Sequence, residues 1–313
     1  MGDIRDARTL FASMQAFQPD IVFHLAAQSL VRLSYSVPVD TFSTNVMGTA
    51  NVLEAVRCLG GVGAVVVVTS DKCYENREWQ WGYRECEPLG GYDTYSASKA
   101  CAELVTHSYR QAFFQSRGNE TTQGNGSISA IASARAGNVI GGGDWATDRL
   151  VPDILRNLQS GTPVVIRNPN AIRPWQHVLE PLSGYMLLAK LLFNEGDAFA
   201  QAWNFGPSDT GAKSVQWMTE EVISQWGEGS WEVEDGEHPH EATYLKLDCS
   251  NAMSKLEWSP VWNPSEALAF TVNWHKAWVS DANVYELCIK DIDRYTRNSL
   301  RIVEMSQGCA EVL

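Results

Sequence analysis

The chain has 313 residues, of which 44% are hydrophobic, so it is long enough for one large or two modest domains with buried cores. Its formal net charge of −13 argues against a nucleic-acid-binding or anionic-membrane surface, and no apolar run reaches the roughly 18 residues of a membrane span. Seven scattered cysteines without a CxxC pair predict neither a zinc site nor a disulfide framework, which makes a reducing cytoplasm the expected location.

The first half of the chain alternates predicted helices with predicted strands. Helical periodicity indicates helices at 6–17, 39–59 and 94–114, and apolar runs indicate strands at 21–27, 64–69 and 128–136. Such an alternation is typical of a parallel sheet that is covered by helices. We therefore predict an α/β fold with a doubly wound, parallel, Rossmann-type sheet.

After Gly137 the sequence changes character. A glycine-rich loop at 138–145 precedes short predicted strands, a predicted turn at 172–178 and predicted helices at 149–159, 181–194 and 265–279. One strand, near 201–207, is predicted to return to the first sheet. The predicted boundaries are a first domain at 1–137 and a smaller C-terminal α/β lobe made mainly of 138–313.

Tyr95 and Lys99 form the most informative motif of the chain. They are four residues apart on a predicted helix and therefore share one face. An ammonium group beside a phenol favours the phenolate, which can take a proton from a substrate hydroxyl. Ser70 and Asp71 directly follow the apolar strand at 64–69, at the edge where an open α/β sheet binds ligands. A YxxxK spacing alone also arises by chance on an amphipathic helix, but the strand that ends in Thr-Ser-Asp favours an active site.

Five strings carry a resemblance to a known family. They are TSDKCYENREWQWGYRE (69–85), GGYDTYSASKACAE (90–103), RAGNVIGGGDWATDRLVPD (135–153), RNPNAIRPWQHVLEPLSGY (167–185) and HPHEATYLKLDCS (238–250). With these strings the chain resembles the sugar-nucleotide 4,6-dehydratases of the extended short-chain dehydrogenase/reductase superfamily. The first and fourth strings are specific, because related dehydratases usually carry Thr-Asp-Glu where this chain has Ser70-Asp71-Lys72.

The resemblance implies a hydro-lyase of deoxysugar biosynthesis that uses NAD and converts a nucleotide hexose, CDP-glucose, to CDP-4-keto-6-deoxyglucose through transient hydride transfer. It implies that Tyr95, assisted by Lys99, takes the proton of the carbon-4 hydroxyl. Ser70 would hydrogen-bond the carbon-4 oxygen, and Asp71 would be the acid for the departing carbon-6 hydroxyl. Lys72 stands where the family has a glutamate base. Its role is open between a base, a cation that stabilises the enolate and a solvated lysine.

The resemblance also implies two sets of binding residues. The predicted cofactor-binding residues are Asp3, Ile4, Leu25, Ala26 and Ala27, together with Tyr95 and Lys99. The predicted substrate-binding residues are Asn45, Asn138, Arg149, Arg173, His177 and Tyr244. No metal site is expected, because His238 and His240 have no further ligands nearby in the sequence. A homodimer or higher homo-oligomer is expected, through the helices at 39–59 and 94–114.

One departure from the family concerns the start of the sequence. The superfamily opens with a strand, a GxxGxxG loop and a helix that hold the dinucleotide pyrophosphate. Here the segment from Met1 to Asp6 matches the stretch after the third strand of the family. The first domain is therefore expected to be an N-terminally truncated, incomplete NAD-binding domain. Two alternatives stay open, namely a sugar-nucleotide epimerase of the same fold and a non-catalytic nucleotide-sugar-binding relic.

Overall fold

The computed structural model describes residues 2–115, 129–208, 211–234, 236 and 242–310. The helices are α1 (Ala7–Phe17), α2 (Val31–Ser36), α3 (Pro38–Phe42), α4 (Gly48–Leu59), α5 (Thr94–Phe113), α6 (Leu150–Gln159), α7 (Leu179–Glu195), α8 (Val215–Trp226), α9 (Ser250–Lys255), α10 (Pro264–Val279) and α11 (Val284–Ala310). The strands are β1 (Ile21–His24), β2 (Ala64–Val68), β3 (Ala130–Arg135), β4 (Val139–Ile140), β5 (Val164–Ile166), β6 (Ile172–Pro174), β7 (Gln176–His177), β8 (Ala202–Asn204), β9 (Ala212–Ser214) and β10 (Trp231–Val233). A π-helical segment (Ser43–Met47) and short 3-10 turns (Asp71–Cys73 and Gly196–Phe199) complete the elements of the described chain.

The main sheet of the described residues has the order β1-β2-β3-β8, and each neighbouring pair is parallel. Strand β2 lies between β1 and β3, and its residues Ala64 to Val67 are buried, as expected for a central strand that helices cover on both faces. The predicted α/β fold with a parallel sheet is confirmed. The strand near 201–207 is β8, which pairs with β3.

The chain divides into two compact units. The first comprises Met1–Gly137, Ser183–Phe205 and Leu247–Trp258, and the second comprises Asn138–Leu182, Gly206–Lys246 and Ser259–Leu313. The first unit thus contains more of the C-terminal half than the strand near 201–207 that the sequence predicts. It includes most of α7 and the whole of α9.

Each unit has its own hydrophobic core. In the first unit, α1, α4 and the central strands bury a cluster of Met14, Leu53, Ala55, Val56, Val62, Val65, Val67, Phe114 and Ile131. In the second unit the buried cluster consists of Ile140, Val151, Ile154, Leu155, Leu158, Val164, Ile166, Trp175, Met218, Val222, Ala267, Leu268 and Val272. No helix of the described chain combines the length and the apolar character that crossing a bilayer would need.

Two predicted elements differ from the structure. The helix predicted at 39–59 is interrupted by the π-helical segment Ser43–Met47, where the side chain of Asn45 hydrogen-bonds neighbouring segments. The stretch 172–178, predicted as a turn, forms β6 and β7. These strands pair with β9 and β4, which lie about 40 residues away in sequence, so local periodicity does not reveal them.

Candidate active site

The carboxyl end of β2 carries a polar cluster that is withdrawn from solvent. Ser70 and Asp71 are buried, and Ser70 caps the 3-10 turn that follows. The Ser70 hydroxyl donates to Asp71 Oδ1 at 3.0 Å and accepts the Lys72 N–H at 3.2 Å. Lys72 itself is half-buried. The Ser70 hydroxyl therefore holds the Asp71 side chain and the Lys72 backbone, so the three residues predicted as catalytic here are linked to one another.

Helix α5 brings the second part of the predicted site to the same place. It begins after Asp93, whose carboxylate accepts the Ser96 N–H at 2.9 Å. The helix packs against the turn Asp71–Cys73, and both Tyr95 and Lys99 are buried on it. The Lys99 ammonium donates to the carbonyl of Val68 at 3.2 Å, at the last residue of β2. The predicted phenol and ammonium groups thus lie on the helix that covers the end of β2.

Burial changes the acid–base behaviour of Lys99. Desolvation lowers its pKa from 10.5 to about 8, while the negative charge of Glu103 and the nearby Cys73 thiol act in the opposite direction. A charge that is lost near pH 8 can respond to small changes in its surroundings.

A chain of hydrogen bonds ties the segment after β1 to α5. Asn45 accepts the Gln28 N–H at 2.8 Å and donates to the Gln28 carbonyl at 2.9 Å. Its amide also donates to Ser98 Oγ at 2.8 Å, and Ser98 in turn donates to the carbonyl of Tyr95 at 2.7 Å. The amide that the sequence predicts as a substrate ligand is therefore engaged in positioning the first turn of α5.

Glu103 lies one further turn along α5 and was missed by the sequence analysis. Its buried carboxylate accepts hydrogen bonds from Thr69 at 2.5 Å, Ser133 at 2.7 Å and Arg135 at 2.8 Å. Burial alone would raise the pKa of Glu103, but the charge of Arg135 and these hydrogen bonds outweigh it and lower that pKa. The spacing of four residues from Lys99 is the sequence signal that points to Glu103.

Tyr185 on α7 is a second residue that sequence reasoning missed. Its phenol is buried, and burial together with the charges of Asp71 and Tyr95 raises its pKa, so the phenol stays protonated. Tyr185 is the last residue of the fourth string of the resemblance. Its nearness to Asp71 and Tyr95 distinguishes it from a tyrosine that only fills the core, and this nearness is visible only in the structure.

The predicted cofactor-binding residues lie in two places within the first unit. Asp3 is exposed and holds Arg5 at 2.7 Å, and that side-chain hydrogen bond lowers the pKa of Asp3. The carbonyl of Ile4 accepts from the Asn51 amide at 2.9 Å. Leu25, Ala26 and Ala27 follow the carboxyl end of β1, with Leu25 and Ala26 exposed and Ala27 half-buried.

The other predicted substrate-binding residues belong to the second unit. Arg173 is buried and donates to the carbonyls of Ile172 and Ala242. His177 is buried against the rings of Trp262 and Phe270, and burial lowers its pKa to about 4, which makes it a neutral packed imidazole.

Three further predicted residues of this unit differ in their surroundings. Arg149 pairs with Asp144 at 2.9 Å, and Tyr244 bridges to Ile172 in a short parallel pairing. Asn138 has a left-handed backbone with φ of 49°, and its buried Oδ1 has no hydrogen-bond partner among the described residues. His238 and His240 lie outside the described residues.

Comparison with known proteins decides the family. The sequence pattern of the GDP-mannose 4,6 dehydratase family matches residues 1–269. The chain belongs to the GDP-mannose 4,6 dehydratase family. The predicted membership among the sugar-nucleotide 4,6-dehydratases is thereby confirmed.

Two relatives of this family member by sequence are 4,6-dehydratases. A CDP-glucose 4,6-dehydratase of Salmonella typhimurium is 53% identical over 302 residues, which cover 96% of this chain and 83% of the relative. A dTDP-glucose 4,6-dehydratase of Streptomyces antibioticus is 29% identical over 279 residues, with 88% and 75% covered. Among solved structures, the dTDP-glucose 4,6-dehydratase DesIV of Streptomyces venezuelae, with NAD and TYD bound, superimposes with a TM-score of 0.74 at 25% identity, covering 88% of this chain and 78% of that one.

The fold is shared more widely than the reaction. A UDP-glucose 4-epimerase of Thermotoga maritima has a TM-score of 0.75 at 19% identity, with 89% of this chain and 84% of that chain covered. At that identity the likeness concerns the fold alone. The two alternatives from the sequence, an epimerase and a non-catalytic relic, are not favoured.

Proposed function

We propose that this chain removes water from CDP-glucose to give CDP-4-keto-6-deoxyglucose, with NAD as its cofactor. The observation that carries the proposal is the buried cluster at the end of β2 and the start of α5, in a chain 53% identical over nearly its whole length to a CDP-glucose 4,6-dehydratase. The cluster holds a carboxyl, a hydroxyl, a phenol and an ammonium group. These are the groups that an oxidation at one carbon and an elimination at its neighbours require.

Each group of the cluster has a separate task in this proposal. Tyr95 takes the proton of the carbon-4 hydroxyl, and the Lys99 ammonium favours the phenolate that accepts it. Ser70 hydrogen-bonds the carbon-4 oxygen, and Asp71 gives a proton to the carbon-6 oxygen as it leaves. Lys72, half-buried beside them, takes the carbon-5 proton as a base, and the ammonium group that results stabilises the enolate.

The residues at the carboxyl edge of the sheet fit a dinucleotide. The small side chains of Ala26 and Ala27 allow a flat ring system to approach the backbone. Lys99 supplies a hydrogen-bond donor beside them at the end of β2. Bound NAD supplies transient oxidation and re-reduction of the sugar. Leu25, Ala26, Ala27, Tyr95 and Lys99, with Asp3 and Ile4, are the residues that would hold it.

For the nucleotide-sugar we propose contacts from five residues that follow Gly137 in the sequence. Asn138 offers an unpartnered amide oxygen, and Arg149, Arg173, His177 and Tyr244 are the further candidates. Arg173 is the candidate contact for a diphosphate because a guanidinium group pairs well with phosphate oxygens, and in this structure it also donates to the carbonyls of Ile172 and Ala242.

The proposal extends to assembly and location. Leu104 and Phe113 expose more than half of their side chains on α5, which suits a homodimer through that helix and α4. Cys58, Cys73, Cys86, Cys101, Cys249 and Cys288 form no disulfide, which suits a reducing cytoplasm.

The test is incubation of the protein and NAD with CDP-glucose, followed by mass analysis of the nucleotide sugar. Loss of the mass of one water is expected, and dTDP-glucose and GDP-mannose, offered at equal concentration, should react much more slowly. An unchanged mass with altered stereochemistry would indicate an epimerase instead. The matched variant Tyr95→Phe should keep CDP binding by calorimetry and lose turnover by about 10²-fold or more. Full activity in that variant would contradict the role of Tyr95.

A further inference from the structure

The carboxylate of Asp71 is held in an asymmetric way. Asp71 Oδ1 accepts the hydroxyl of Ser70 at 3.0 Å, whereas Oδ2 is buried and has no hydrogen-bond partner among the described residues. The Asp71 backbone N–H donates to the carbonyl of Ala136 at 3.2 Å. One oxygen is therefore fixed, and the other is kept from solvent without a protein donor.

The next residue after Ala136, Gly137, lies directly against this carboxylate. A Cβ built on Gly137 would fall on the position of the Asp71 carboxyl group. Gly137 is also buried, so the backbone has no room to turn away into solvent. Any residue with a Cβ would clash with the carboxylate at this position, so only glycine fits here without a shift.

The backbone conformation at position 137 does not explain why a glycine stands there. Several described glycines have positive φ, but Gly137 is not among them. Its φ is therefore outside the left-handed region that favours glycine over alanine. The three atoms that a Cβ at Gly137 would approach most closely all belong to the Asp71 carboxylate.

We propose that Gly137 is a positioning residue for Asp71. By lacking a side chain it lets the carboxylate pack against the end of β3, with Oδ2 left for the departing carbon-6 hydroxyl. The inference rests on the proposed function only for the identity of that hydroxyl. A methyl group at Gly137 pushes the carboxylate out of its place and removes the proton donor from the leaving oxygen.

The test is a double-mutant cycle of Gly137→Ala and Asp71→Ala on the full chain. In the wild-type background, Gly137→Ala should lower kcat for CDP-glucose by about 10²-fold or more, with KM changed by less than about threefold. In the Asp71→Ala background the same change should lower kcat by less than about twofold, because the carboxylate it displaces is absent. An equal loss in both backgrounds, or no loss in the first, would overturn the proposal.

A stability cycle makes the test independent of activity. Gly137→Ala should lower the thermal unfolding midpoint of the wild type, and Asp71→Ala should abolish that loss because it frees space for the methyl group. If Gly137→Ala fails to fold and the double variant folds, the contact is supported. If neither variant folds, glycine is needed at position 137 for a reason other than the Asp71 carboxylate, and the proposal is wrong. A wild type that leaves CDP-glucose unchanged contradicts the proposed function, while the stability cycle still decides the contact.

Gly63→Ala is the matched control in the same unit. Its Cβ would meet the ring of Phe193 at 2.6 Å, so it introduces a milder steric clash in the same unit but away from Asp71. It should lower the unfolding midpoint while leaving kcat near the wild-type value. A fall in kcat as large as that of Gly137→Ala would mean that any packing strain in this unit impairs turnover, and the proposal would fail.

Discussion

Lys99 is a buried lysine whose charge depends on pH in the range where enzymes are assayed. Its ammonium group is buried, yet it donates to the carbonyl of Val68 and faces the negative charge of Glu103. Cys73 and His24 are two further titratable groups that interact with its charge. Burial raises the pKa of the Cys73 thiol, and it lowers the pKa of His24 to about 4, so both stay neutral around pH 7. Lys99 is therefore the member of this group that changes charge near pH 8.

This titration predicts a pH dependence of turnover. The pKa of Lys99 is lowered to about 8, so the ammonium charge is present below that pH and is lost above it. Because the charge favours the Tyr95 phenolate, we expect kcat/KM at saturating NAD to fall above about pH 8. Lys99→Arg keeps its charge at every accessible pH and should move this limb upward. The same alkaline limb in both proteins would mean that another group titrates there.

Helix α5 joins the strands of the sheet through Glu103. The carboxylate binds Thr69 at the end of β2 and both Ser133 and Arg135 on β3. Arg135 continues the network to Tyr74, whose hydroxyl donates to Asn204 on β8 at 2.7 Å. One buried ion pair thus connects the helix that carries Tyr95 with three parallel strands.

Breaking this pair at one end should be costly. Glu103→Gln leaves the Arg135 guanidinium buried without its counter-charge, which is expected to destabilise the fold by about 3–5 kcal/mol. The measurement is urea unfolding followed by circular dichroism. Glu54→Gln is the matched control, because Glu54 pairs with Arg57 at 2.6 Å on the surface of α4, where solvent screens the pair. Equal destabilisation by the two changes would show that the buried ion pair contributes no more to the free energy of unfolding than the surface pair.

At the scale of the whole molecule, the acidic surface is interrupted by an apolar area on the first unit. Strand β1 pairs with β2 and lies at the edge of the described sheet. Ile21 and Phe23 of β1 are exposed beside Met186 and Phe193 of α7, and they line a shallow pocket. An exposed apolar edge strand favours self-association of the chain.

This surface predicts a change in solubility from one substitution. Phe23→Lys adds a charge to the exposed face of β1 and should raise the concentration at which the protein stays free of aggregates, measured by light scattering. Phe17→Lys is the control, because Phe17 is 81% exposed but lies outside that pocket lining. A similar gain from both changes would show that net charge matters and the apolar edge does not.

The sequence by itself predicted the elements that local chemistry controls. The apolar run of β2 predicts a buried strand, and the periodic pattern at 94–114 predicts α5, so Tyr95 and Lys99 on one helix face follow from spacing alone. The order Thr-Ser-Asp at the end of β2 likewise placed Ser70 and Asp71 at the ligand-binding edge of a parallel sheet. Resemblance supplied the reaction, since no spacing in the chain specifies a hexose.

Only the tertiary structure decided which groups meet. Asn45 turned out to bind Gln28 and Ser98, and Glu103 binds residues 34, 30 and 32 positions away in sequence. The glycine at 137 has an ordinary backbone, so its close approach to Asp71 leaves no trace in local periodicity. Hydrophobic patterns record the face that a helix or strand buries. The identity of the atom across that face is set by packing between distant segments, which one segment's sequence does not contain.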